Sequence, residues 1–346
     1  MTAMKNHINR YLIIASLLSV IQPVSGQDIN FSQFYDLPLL RNPALAGLYK
    51  GDIRVTAAFR SQWQSVTVPY KTIGLGMEFK RSVGISDDYI TYGLQLSGDI
   101  AGDSRLSRNQ VFPVFNYHKS LNGDNGAYLS AGIMGGPVMQ RFDPAKLTFD
   151  DQYVNGAFSS VNPTKELFSR TNLTYWDAAV GLCFSSLIGS NTRYYIGAGL
   201  FHFTKPKVAF MKQHDIVLNE KYVVNAGLSA PVGNGNQLIV YGDYFMQGGA
   251  RQGQGGLFYS YNLSENEAGE KVNISAGLFY RWKDAAMPVI KLDYYKTSIG
   301  ITYDVNTSKL KTASQYRGGA EITLSYRAFR NSYNSSANKV RCPAFY

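Results

Sequence analysis

The chain has 346 residues, of which 14% are aromatic and only 17% charged, with 33 Gly and 25 Tyr. Soluble domains carry about a quarter charged residues, so this balance disfavours an ordinary soluble fold and suits a sheet with one wet and one greasy face. A net charge of +10 would fit nucleic acid, but the cations are scattered singly, with no basic run, zinc pattern or recognition-helix pattern, which argues against that partner.

Residues 1–26 read as a secretory signal peptide: Lys5 and Arg10, then YLIIASLLSVI at 11–21, then Pro23 and the small-residue site Val24-Ser25-Gly26. The apolar run is too short to span a bilayer, and no cysteine follows it to take a lipid. An exported chain starting at Gln27 is expected.

Residues 27–51 have no clean period. Phe31, Phe34, Leu37, Leu39 and Leu40 are apolar, but Pro38 and Pro43 each remove a backbone donor, so neither a long helix nor a central strand fits. The Asn42-Pro43 step and Gly47 supply turns.

From residue 52 to 328 the pattern has period two. Ile53, Val55, Ala57 and Phe59 alternate with Arg54, Thr56, Ala58 and Arg60, and Ile73, Leu75, Met77 and Phe79 alternate with Gly74, Gly76, Glu78 and Lys80. Strands are expected at about 52–63, 70–80, 90–100, 109–118, 127–140, 175–185, 193–202, 221–230, 236–246, 254–262, 271–282, 287–295, 298–304 and 318–328. A soluble sandwich would put dense Lys and Glu on its polar face, whereas this polar face is Gly, Ser, Thr and Asn with isolated charges. An all-β, transmembrane antiparallel outer-membrane barrel of about fourteen strands is preferred. Trp63, Tyr70, Trp176, Tyr194, Tyr244, Tyr280 and Trp282, near strand ends, suit an interfacial girdle. With a periplasmic amino terminus, the fifth, seventh and thirteenth connections face outward, and these are the long ones. Residues 329–346 form a carboxy-terminal tail on the periplasmic side.

Few residues fall in the patterns that reactive or metal-binding sites need. His7, His118, His202 and His214 lack metal-ligand spacing, and no nucleophile, zinc or phosphate-loop motif occurs, so no enzyme and no cofactor are expected. The adjacent Asp150 and Asp151 read as a solvated loop rather than a calcium site. Arg54, Arg60, Glu78, Asp177, Asp243, Arg281, Lys291, Asp293, Asp304, Glu321 and Arg327 fall on the inner face. They are expected to pair with one another in a network that fills and stiffens the lumen; the alternative is a surface that grips a partner or conducts ions. Cys183 also faces inward, and Cys342 lies in the tail. The two either form a disulfide that folds the tail into the lumen or remain free thiols.

Five blocks in order, FSQFYDLPLLRNPALAG at 31–47, GDIRVTAAFRSQWQSV at 51–66, TSIGITYDVNTSKL at 297–310, GGAEITLSY at 318–326 and RCPAFY at 341–346, resemble the PorP/SprF family of Bacteroidetes outer-membrane proteins. The resemblance implies a barrel of the type IX secretion system and gliding machinery. It implies an anchor or accessory that helps export, or holds at the cell surface, a secreted protein carrying a C-terminal sorting domain. Its implied partners are that protein, other secretion components and a periplasmic peptidoglycan-binding protein, besides the lipid bilayer. RCPAFY departs from the family where a basic residue would follow the proline. On this reading 27–51 packs in or under the barrel mouth as a plug or docking strip, with Phe31, Gln33, Tyr35, Asn42, Pro43 and Gly47 as its candidate residues. The rival function is an open diffusion porin.

Overall fold

The computed structural model describes residues 28–64, 68–83, 87–122, 126–166, 168–189, 191–211, 215–265, 271–309 and 311–330. The expected leader, the tail beyond residue 330, and His7, His214 and Cys342 lie outside the described residues.

Fourteen antiparallel strands close into one barrel. In chain order they are β1 (Ile53–Gln62), β2 (Tyr70–Ser82), β3 (Tyr89–Ala101), β4 (Leu106–Asn122), β5 (Ala127–Arg141), β6 (Asn172–Ile188) and β7 (Thr192–Phe201), then β8 (Lys221–Pro231), β9 (Gln237–Gln247), β10 (Ala250–Glu265), β11 (Lys271–Arg281), β12 (Ala285–Tyr294), β13 (Thr297–Asn306) and β14 (Arg317–Ala328). Each pairs with its sequence neighbour, and β1 pairs with β14 from Ile53↔Ala328 to Gln62↔Gly319. Closure leaves no strand edge, which a wall in hydrocarbon requires, because an unpaired backbone group there costs several kcal/mol. Among the described residues no helix is long and apolar enough to cross a membrane; in a barrel the strands cross it.

Alternation decides which side of the wall each residue serves. Along β13, Ile299, Ile301 and Tyr303 are 41%, 58% and 43% exposed, whereas Ser298, Thr302 and Asp304 are each 2% exposed. The outward set is therefore the apolar one, as a lipid-facing wall demands. Outward aromatics fall into two belts. Trp176, Tyr222, Tyr244, Trp282 and Tyr303 lie toward one rim, and Tyr92, Tyr117, Tyr259, Tyr294 and Tyr326 toward the other. Their amphipathic rings suit the two membrane–water boundaries.

The connections sort by rim. One rim carries 142–171, 202–220 and 307–316 with four short links; the opposite rim carries only short turns. On the long-loop rim, Phe142 packs edge-on against Phe168 and Phe210, with centroids 5.1 and 4.9 Å apart, and Arg170 donates to the Ala209 carbonyl at 2.5 Å. These contacts join the two longest connections into one raised structure. At its tip a two-residue ladder pairs Tyr153 with Phe158 and leaves both exposed.

Three expected strands are longer than the sequence pattern shows: β4, β6 and β10 each extend several residues past their apolar stretch. The added residues, such as Ser107, Arg108, Lys119 and Asn172, are polar yet still pair in the ladder. The expected extension of β1 to Trp63 does not occur, because Trp63 turns at φ 57° after Gln62.

Replacing the lipid-facing Ile301 by Arg is expected to destabilise the barrel by about 2–4 kcal/mol in phospholipid vesicles, measured by urea unfolding. The same change at the loop residue Val161, 88% exposed, should leave the unfolding midpoint unchanged.

Candidate functional site

The irregular segment enters the barrel interior at the long-loop rim and leaves at the short-turn rim. It is built from three single turns, Phe34–Asp36, Pro38–Arg41 and Pro43–Leu45. Pro38 and Pro43 each begin a turn, where their missing N–H costs nothing, and the Asn42 side chain accepts from the Ala44 N–H at 2.8 Å to cap the last one. The prolines that exclude a strand thus position the chain.

The segment's path can be followed through its polar contacts. At the long-loop rim the Asp28 carboxylate meets Arg108 at 2.5 Å, Lys221 at 3.3 Å and His202 Nε2 at 3.5 Å, while His202 Nδ1 lies 2.6 Å from Asp177. Burial alone would disfavour a carboxylate here, and Arg108, Lys221 and His202 gathered around Asp28 offset that cost. One step deeper, Arg60 donates to the Asn30 carbonyl at 2.8 Å and pairs with Asp304 at 2.7 Å, and Arg281 joins Asp304 at 2.6 Å. Glu321 accepts from the backbone N–H groups of Ser32 and Gln33, both at 2.7 Å. At mid-height Arg41 binds Asp243 through two donors, at 2.8 and 2.5 Å, and Lys291 meets Asp36 at 2.5 Å.

Toward the short-turn rim the contacts run mainly to the backbone of the segment. Asn116 donates to the carbonyls of Ala44 and Ala46 at 2.9 and 2.8 Å, Glu78 accepts from the Gly47 N–H at 2.8 Å, and Lys80 donates to the Tyr49 carbonyl at 2.8 Å. Asp52 finally donates its N–H to the Ala328 carbonyl at 2.8 Å, where the chain joins the wall.

Glycines on the inner wall make the room. A Cβ on Gly132 would stand 2.5 Å from the Pro43 carbonyl carbon, one on Gly181 would meet the Asn42 side chain at 1.8 Å, and one on Gly300 would meet Gln33 at 2.1 Å. Gly47 itself has φ +84° and lies against Thr91 and His118, so any side chain there is both strained and blocked.

All eleven inner-face charges read from the sequence point inward. Arg54 of β1 pairs with Glu78 of the adjacent β2 at 2.7 Å, and Arg327 of β14 reaches across β13 to Asp293 of β12 at 3.5 Å. Asp243, Lys291 and Glu321 take partners from the segment, and Asp304, held by Arg60 and Arg281 of the wall, also accepts from Ser32. Phe31, Gln33, Tyr35 and Asn42 are each 2% exposed or less, and Pro43 and Gly47 are buried. The segment does not stop in or under one mouth, as its broken sequence suggests; it runs from rim to rim. The inner wall is also less polar than expected. Tyr35 packs among Tyr241, Phe258 and Phe279, at centroid distances of 5.3, 4.9 and 4.9 Å, and Leu39 belongs to a cluster with Phe112, Val138, Phe201 and Val223. The sequence reasoning missed Asp28, Asp36, Arg41, Arg108 and Lys221. Charges at Asp36 and Arg41 within an apolar, proline-broken stretch were the available signal.

Cys183 is 1% exposed and inward; its pairing with Cys342 falls outside the described residues. His118 sits between Thr91 and Ser130, at 3.2 and 2.7 Å, and Asp151 accepts from Lys165 and Thr164 within its own loop. Among the described residues no three His, Cys, Asp or Glu side chains converge as metal ligands.

A family model described as type IX secretion system membrane protein PorP/SprF matches residues 24–326. No curated protein matches the chain. Among solved structures, CdiB from Acinetobacter baumannii is 9% identical over 80% of this chain, with a TM-score of 0.42, and this chain spans 60% of its length. The TodX monoaromatic hydrocarbon channel, as a deltaS2S3 mutant, is 10% identical over 83% of this chain and 93% of its own, with a TM-score of 0.43. BamA from Haemophilus ducreyi, lacking POTRA domains 1–3, is 7% identical over 80% of this chain and 70% of its own, with a TM-score of 0.39.

Truncating Arg41 to Ala leaves Asp243 buried beside Asn225 without its cation and is expected to cost about 3–5 kcal/mol. The double change Arg41→Ala with Asp243→Ala should cost less than the sum of the two singles, as read from urea midpoints in a double-mutant cycle. Gly132→Val should displace the segment and make peptide bonds in 30–47 cleavable by added protease.

Proposed function

The chain belongs to the PorP/SprF family of type IX secretion system membrane proteins, and from that premise we propose that it binds a secreted protein's C-terminal sorting domain and retains that protein at the surface or helps export it. Family and fold are those of an outer-membrane secretion component with other secretion components as partners, and not those of an enzyme.

The observation that carries this reading is the segment inside the barrel. Its packing against Tyr241, Phe258 and Phe279 on one side and Phe112, Val138 and Phe201 on the other supports a closed passage. A porin needs an open polar lumen, so the work falls to the rims. The long loops offer the recognition surface, facing the outside with the termini of the wall on the periplasmic side. Tyr153, Val154, Phe158 and Val161 stand exposed above the phenylalanine cluster that fixes their base. Aromatic anchors on a rigid support are what a protein partner uses to gain affinity. The short-turn rim is left for a periplasmic peptidoglycan-binding partner.

A pull-down of the tagged protein from its native envelope in mild detergent is expected to recover a large secreted protein with a C-terminal sorting domain. Loss of that protein from a variant with Tyr153→Ala and Phe158→Ala, while the heat-resistant folded barrel persists on a gel, would assign the surface. Recovery of the barrel alone would overturn the reading. In planar bilayers the intact chain should be nearly silent, and deletion of 28–47 should open a conductance; steady conduction by the intact chain would favour the diffusion porin.

A further inference from the structure

Asp28 and Asp52 lie at opposite mouths of the barrel. The residues that hold Asp28 all belong to the long-loop end: Arg108 is the third residue of β4, after the 102–105 link, His202 is the first after β7, and Lys221 is the first of β8. The next contacts agree, since Arg60 is two residues from the end of β1, Arg281 is the last residue of β11, Asp304 is near the end of β13, and Glu321 is near the start of β14. Asp52, by contrast, bonds to Ala328 at the last residue of β14, on the short-turn rim.

We infer that the amino end of the processed chain opens at the long-loop mouth, so that the protein presents its own amino terminus beside the loops rather than on the side where β1 begins. The leader is expected to be cut before Gln27, one residue ahead of Asp28, which leaves no length of chain to turn back through the barrel. At an extended reach of about 3.3–3.6 Å per residue, one residue cannot cross a wall that β1 spans with ten residues. The Asp28 cluster acts as the latch. Its carboxylate meets Arg108, Lys221 and the His202 ring, one from each of three elements, and the short link to Asp177 through His202 ties it to β6 as well. The inference needs only the shared mouth; that this mouth faces the outside rests on the function proposed above.

The test uses the full chain, with Cys183→Ala and Cys342→Ala, and a single cysteine inserted between Gln27 and Asp28. Two reference variants carry the cysteine instead at Phe158, in the long loop, or at Asn234, in a short turn. Intact cells and cells with a permeabilised outer membrane are treated with a membrane-impermeant maleimide. The amino-terminal cysteine is expected to label like Phe158→Cys and unlike Asn234→Cys, with a difference of at least tenfold between the two reference sites in intact cells. Labelling like Asn234→Cys would overturn the inference. If Phe158→Cys is itself protected in intact cells, the outward orientation fails, while matching behaviour of the amino-terminal cysteine and Phe158→Cys still supports the shared mouth. Should the inserted cysteine prevent folding, Ser32→Cys with Asp304→Cys provides the second reading, since those side chains touch at 2.5 Å near the same mouth. Formation of that cross-link supports the path, and its failure in a folded barrel overturns it.

Discussion

A charge on the inner wall of a narrow barrel is cut off from bulk water, so it must find an opposite charge or a set of hydrogen bonds. The wall solves this by itself for Arg54 with Glu78 on adjacent strands and for Arg327 with Asp293 across one intervening strand. Asp243, Lys291 and Glu321 take their shortest contacts from the segment instead, namely Arg41, Asp36 and the N–H groups of Ser32 and Gln33, with Arg60 a further partner of Glu321 at 3.7 Å. The wall and the segment are therefore one electrostatic object. Removing either leaves several ions buried without compensation, which is far more costly than never having built them in.

The same dependence sets the shape of the segment. A helix would have satisfied its own backbone and offered nothing to Asn116, Glu78 or Lys80. Pro38 and Pro43 break it into single turns, and the freed carbonyls and N–H groups become the ligands for those wall side chains. Glycines at 132, 181 and 300 let the backbone and short side chains come close enough for such bonds to form. Apolar residues pack alongside these bonds, with Tyr35 and Leu39 seating in two separate clusters that mix aromatic and aliphatic side chains.

Much of the wall is legible from residues alone, because the period of two is local and the lipid face is selected to be apolar throughout. The rim sorting of the long connections follows from strand parity. What is not legible depends on partners distant in sequence. Arg41 and Asp243 are separated by 202 positions, and no local pattern links them. Phe279 shares its face with Ser275 and Arg281, and period alone gives no reason for an aromatic there; the reason is Tyr35. Strand ends at the polar rims are also hidden, since Ser107 and Asn172 pair in the ladder without being apolar.

The tether between segment and wall has no slack. Asp52 donates to Ala328 and accepts from Lys80, and the very next residue, Ile53, is already in register with both β14 and β2. The seam where the barrel closes is thus the place where the inner chain is fastened. Sealing the circle and seating the interior become a single cooperative step in assembly. Any change that shifts the register of β1 against β14 would therefore also pull on residues 28–51 inside the barrel.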